Sequence, residues 1–115
     1  MSIKRIKAGA RMSQAVVHGD TVYLAGQVAD NAKDDVAGQT KQILSKIEGL
    51  LAEAGSDKSK LLSATIWLTD MRSFDDMNKV WDAWVSPGNT PGRACVEAKL
   101  ARADLLVEIG IIAAR

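Results

Sequence analysis

The sequence predicts an α+β fold in which one mixed β-sheet carries two helices packed on a single face. Three observations lead there. Two stretches, near residues 35–54 and 74–85, repeat apolar residues at three- and four-residue spacing, while short β-prone runs lie around them. Glycine, aspartate and proline punctuate those runs. At 115 residues the chain has room for one sheet and one helix layer but not for a second independent core, so residues 1–115 read as one domain.

The elements follow in order. Ala15–Val28 holds two β-prone runs divided by Gly19-Asp20, the turn chemistry of a hairpin, and Ile3–Ile6 offers a further short strand ahead of it. From Asp34 or Asp35 to Ala54, residues Val36, Ile43, Leu44, Ile47, Leu50 and Leu51 recur on one helical face, with Asp at the entry and Gly55 at the exit. Leu61–Leu68, with β-branched Thr65 and Ile66 and with Trp67, reads as a buried strand. Ser73-Phe-Asp-Asp76 resembles a capping signal and opens a second helix with the stripe Phe74, Met77, Val80, Trp81, Trp84 and Val85. It ends before Ser86–Gly92, which holds both prolines of the chain. Arg93–Leu100 and Leu106–Ala113 close the chain as strands, separated by polar Ala101–Asp104. The predicted order is β-β-α-β-α-β-β. Two helices cover one face of such a sheet, so the apolar run Leu106–Ala113 leaves a greasy second face that self-association would cover.

Composition narrows the function classes. With 15 Lys and Arg against 14 Asp and Glu, the net charge of +1 creates no field to gather nucleic acid or anionic lipid, so neither partner is expected. Cys95 is the only cysteine, which rules out an internal disulfide, a CxxC redox pair and a cysteine zinc site. The charged start lacks the apolar core of a signal peptide, and no run is long enough to span a bilayer. A cytoplasmic protein without metal, cofactor or membrane is the expectation.

Few residues are candidates for chemistry. Glu108 is the only charged residue of its strand, and a carboxylate among apolar neighbours needs a partner, a proton or a solvated edge. Arg93 stands where the Pro91-Gly92 turn enters a strand, a place suited to holding a planar fork at a fixed angle toward a carboxylate. Its other reading is a surface arginine pairing with Glu97 or Glu108. Period-two alternation sets Cys95 on the face of Arg93, but with no histidine in plausible register to activate it, contact or packing is the expected role. Gly26, in Ala25-Gly26-Gln27, admits a close backbone approach to a ligand or equally marks a strand exit. His18 reads as a loop residue, and Trp81 and Trp84 as core packing.

Taken together, Ser13–Val17, Val22–Gln27, Leu50–Gly55, Phe74–Asn78, Pro91–Val96 and Leu106–Ile109 resemble the Rid (reactive intermediate deaminase, YjgF-type) family over nearly the whole chain. The resemblance implies a chorismate-mutase-like fold and a homotrimer with clefts between subunits. It also implies cofactor-free hydrolysis of reactive 2-imino and enamine acids, such as 2-aminoacrylate, to 2-oxo acids and ammonia. Carried over by position, Arg93 would bind the substrate carboxylate, Glu108 would hold or activate water, and the backbone at Gly26 and Cys95 would line the pocket. Met12 stands where deaminase-active members usually have tyrosine, and Ala25 where they have serine, so two pocket hydroxyls are missing. Gly110 replaces an acidic residue often found there. The alternative reading is a non-catalytic trimeric module that binds a carboxylate metabolite and regulates a partner. Ribonuclease activity lacks a basic-aromatic stripe to support it.

Overall fold

The computed structural model describes residues 2–115; Met1, part of the expected 1–115 domain, lies outside the described residues. Six strands and two helices alternate as β1 (Ile3–Ile6), β2 (Ala15–His18), β3 (Thr21–Leu24), α1 (Val36–Glu53), β4 (Leu61–Leu68), α2 (Phe74–Trp84), β5 (Gly92–Glu97) and β6 (Val107–Ala114). The order is therefore β-β-β-α-β-α-β-β, with Ile3–Ile6 forming a true first strand. All six lie in one sheet, ordered β1-β2-β3-β6-β4-β5. Every pairing is antiparallel except β4 with β5, where α2 supplies the crossover that parallel strands require.

Local chemistry explains the boundaries. Gly19 takes φ +62°, the left-handed conformation that the β2–β3 turn needs and a β-carbon would resist. Asp35 caps α1 by accepting from the Gly38 N–H at 2.9 Å, and Gly55 with φ +80° lets the chain leave the helix. Ser73 stands at the N-cap position of α2, as expected, but its side chain makes no capping hydrogen bond, and its φ −84°, ψ 0° is not the usual extended geometry. The chain enters α2 through a 3₁₀ turn, Met71–Ser73, whose cap is Asp70 accepting from the Arg72 N–H at 2.9 Å. The strand expected over Arg93–Leu100 stops at Glu97, since only the Ala98 N–H reaches back to β4, at the Leu68 carbonyl.

Both helices cover one sheet face. Ile43, Ile47 and Leu51 of α1 and Met77 and Trp81 of α2 pack on Ala64, Ile66 and Leu68 of β4 and on Val107, Ile109 and Ile111 of β6. Among the described residues, no layer covers the opposite face. Among the described residues, no helix is long and apolar enough to cross a membrane.

Candidate functional site

Arg93 enters β5, an edge strand, directly after the Pro91-Gly92 turn. Pairing with β4 sets Arg93 beside Ala64, Cys95 beside Ile66 and Glu97 beside Leu68. Those three β4 residues belong to the core, so Arg93 and Cys95 face the helix layer. There the guanidinium meets α2. Its Nη1 donates to Asn78 Oδ1 at 2.7 Å, and its central carbon lies 5.8 Å from the Phe74 ring centre and 5.5 Å from a Trp81 ring centre. Phe74, Asn78 and Trp81 recur at i, i+4 and i+7, so one face of α2 forms the cradle.

Neither acid considered as a partner of Arg93 reaches it. Glu97 accepts from the Met71 backbone N–H at 2.9 Å, and Glu108 lies on the other side of the sheet. Asn78 is the only side-chain acceptor that Arg93 uses among the described residues, which leaves most of its five N–H donors free. Half-buried Cys95 packs against the core, and burial pushes its thiol above the ordinary value while the Arg93 charge offsets this in part. A thiol held protonated is a poor nucleophile.

Glu108 pairs across the sheet with Trp67 on the face without helices. It contributes to a cavity of about 250 Å³ with Trp67, Lys99, Leu100 and Ala101, and it enters no ion pair among the described residues. Gly26 sits against its carboxyl: a β-carbon there would lie 2.1 Å from Glu108 Oε2. The backbone of Gln27 fixes this approach by exchanging hydrogen bonds with Ile109, at 2.8 and 3.1 Å. The buried Gln27 side chain donates to Gln14 Oε1 and to the Ala25 carbonyl, both at 3.0 Å, while the Ala25 N–H donates to the Gln14 carbonyl at 2.9 Å. The two glutamines thus lock the segment that carries Gly26 beside β6. Gly110, also on this face, would place a β-carbon 3.4 Å from the Trp67 ring, so the indole lies over it.

The structure therefore joins Arg93 with Cys95 and Glu108 with Gly26, and keeps the two pairs on opposite faces. Ala25 is half-buried beside Gly26, whereas Met12 is exposed, its carbonyl closing a turn with the Gly9 N–H at 2.8 Å. His18 is exposed at the end of β2. Trp84 stacks at a tilt on Trp81, 5.6 Å between centres. Phe74, Asn78 and Trp81 were not singled out as Arg93's partners. The readable signal was Asn78, a polar residue within the apolar stripe of α2.

A model of the family described as Endoribonuclease L-PSP matches residues 2–115. The chain belongs to that family. A RutC family protein of Escherichia coli is 46% identical to this L-PSP-family chain over 114 residues, 99% of either protein. A crystal structure of a YjgF family member from Neisseria meningitidis superposes with a TM-score of 0.98 at 46% identity, covering 100% of this chain and 96% of that one. A protein of the conserved Rid family from Yersinia pestis gives a TM-score of 0.91 at 27% identity, covering 99% of this chain and 100% of that one. The Rid and YjgF resemblance read from the residues is thereby shown, and so is the fold.

Proposed function

We propose that this protein hydrolyses small reactive 2-imino and enamine acids to 2-oxo acids and ammonia at sites shared between subunits of a homotrimer. The observation that carries the reading is Arg93: a guanidinium held on aromatic rings and one amide, with no carboxylate against it among the described residues. Such a fork suits a substrate carboxylate in two parallel charge-assisted bonds. Glu108, close to the backbone of Gly26, holds water for attack on the imine carbon. Water adds to that carbon, the carbinolamine collapses, and nitrogen leaves as ammonia while the carbonyl of the 2-oxo acid forms. The imine is already electrophilic, so orientation and proton management suffice.

One chain cannot bring both groups to one ligand, because its own sheet stands between them. A second copy can, by presenting its Glu108 face near the first copy's Arg93 edge. The names of relatives support family membership. A carboxylate-binding module without turnover shares the Arg93 site and differs only in the work of Glu108.

The experiment generates imino acids with an amino-acid oxidase and follows their decay with and without the protein. Decay accelerates with wild type and slows with Glu108→Gln, while that variant keeps its affinity for a 2-oxo acid. No acceleration with intact 2-oxo acid binding selects the binding module. Calorimetric titration with pyruvate tests Arg93 directly: Arg93→Lys keeps the charge but loses the fork, weakening binding by about 1.5–3 kcal/mol. Equal affinity in wild type, Arg93→Lys and Arg93→Ala removes the carboxylate site.

A further inference from the structure

Arg93 is exposed, and the firmest side-chain anchor for a guanidinium is a carboxylate, through a charge-assisted pair. Arg93 is answered by an amide instead, at 2.7 Å from Asn78. Acids are near in the chain: α2 itself carries Asp75, Asp76 and Asp82, yet all three are exposed and none pairs with Arg93. The position of α2 that faces the guanidinium, between Phe74 and Trp81, holds the neutral residue. Asparagine and aspartate have nearly the same shape and both offer an oxygen there. They differ in what they do to the charge.

We propose that Asn78 is a positioning residue for the carboxylate site, acting through Arg93: its neutral oxygen fixes the guanidinium over the Phe74 and Trp81 rings while leaving the positive charge uncompensated for an incoming carboxylate. An internal carboxylate at this position would hold the fork at least as firmly, but it would neutralise it and repel the ligand. The ring faces add to the same end, since they attract the cation without offering a formal negative charge. The ligand class that follows is a small monoanion with a planar carboxylate. This inference rests on the reading of Arg93 as the carboxylate ligand, and the test separates the two.

Pyruvate is titrated calorimetrically into wild type, Arg93→Ala, Asn78→Ala, Asn78→Ser and Asn78→Asp. Asn78→Ala loses the anchor and binds about three- to tenfold more weakly. Asn78→Ser, which keeps a neutral oxygen, falls between wild type and Asn78→Ala. Asn78→Asp binds more weakly than Asn78→Ala, by about tenfold or more, although its thermal midpoint is no lower than that of wild type. In the imino-acid assay the Asp variant raises KM while changing kcat less, as expected when a contact made in both ground and transition states is lost. A purely structural asparagine predicts the reverse order, with the Asp variant the better replacement. Asn78→Asp binding pyruvate as well as Asn78→Ala, or Ser and Ala variants binding alike, overturns the proposal even if the Asp variant alone fails to fold. If Arg93→Ala loses affinity and no Asn78 variant does, this inference fails and the carboxylate site stands. If Arg93→Ala binds like wild type, both fall.

Discussion

Glu108 and Gly26 show how much one residue's chemistry depends on another's absence of a side chain. A carboxylate in an apolar strand was conspicuous in the sequence, because Glu108 is the only charge between Leu105 and Ala113. What it leans on was not, since Gly26 lies on a different strand exit and reads equally well as a bulge. The 2.1 Å clash that a β-carbon would make is with the far end of a flexible side chain, so Gly26→Ala moves the carboxyl and spares the fold. Turnover in the imino-acid assay should fall about tenfold or more, with the thermal midpoint nearly unchanged. Wild-type turnover in Gly26→Ala would show that the close approach has no part in holding water. Arg93 was legible through the rigid turn before it, but its cradle was not. Phe74 and Trp81 have the spacing of core residues, and the same rings serve both the core and the guanidinium.

At the scale of elements, strands and helices were legible where their periods are local and strong: α1, β4 and the β2–β3 hairpin lie where spacing and turn residues put them. The start of α2 at Phe74, directly after Ser73, was legible, but its capping was not: Ser73 and Asp76 mimic a capping box, while the side chain that caps is Asp70, at the 3₁₀ turn before the helix. Gln39 escaped notice for a different reason. It is a polar residue on the apolar face of α1, between Val36 and Ile43; it is fully buried, and two of its partners, Asp104 and Leu106, are distant in sequence. Its amide nitrogen donates to the carbonyls of Ala32, Asp34 and Asp104 at 3.0–3.2 Å, and its oxygen accepts from the Leu106 N–H at 2.9 Å. It thereby ties the loop before α1 to the loop that feeds β6, the strand that carries Glu108. Gln39→Leu removes these partners; Asp34 and Asp104 are exposed, so water can take over their carbonyls, and the cost in urea unfolding should be about 1–3 kcal/mol, that of one orphaned buried group. A loss below about 0.5 kcal/mol, the range of an ordinary surface change, would mean that water or a shifted loop replaces the amide.

The whole molecule is a slab of 43 × 37 × 20 Å, two layers deep, with one sheet face uncovered. That face was foreseen from the doubly apolar last strand. Its residues are now specific: Tyr23 pairs with Ile112 across β3 and β6, and Val96 with Trp67 across β5 and β4. Ile3, Tyr23 and Val96 remain 50%, 46% and 46% exposed, and Ile112 36%, a patch that a monomer in water has reason to bury. Burying it against other copies also meets the need of the proposed site, since Arg93 and Glu108 lie on opposite faces of each sheet. Sedimentation at micromolar concentration should then give a trimer of the 12.3 kDa chain. Ile112→Glu places a carboxylate in the middle of the patch, where desolvation on assembly is costly while the folded monomer leaves the group partly in water. The variant should sediment as a monomer and keep the circular dichroism of the fold. It should also lose imino-acid turnover, although Arg93, Asn78 and Glu108 are untouched. A monomeric Ile112→Glu protein with wild-type turnover would show that one chain completes the site by itself, and the division of Arg93 from Glu108 by the sheet would then have no bearing on catalysis.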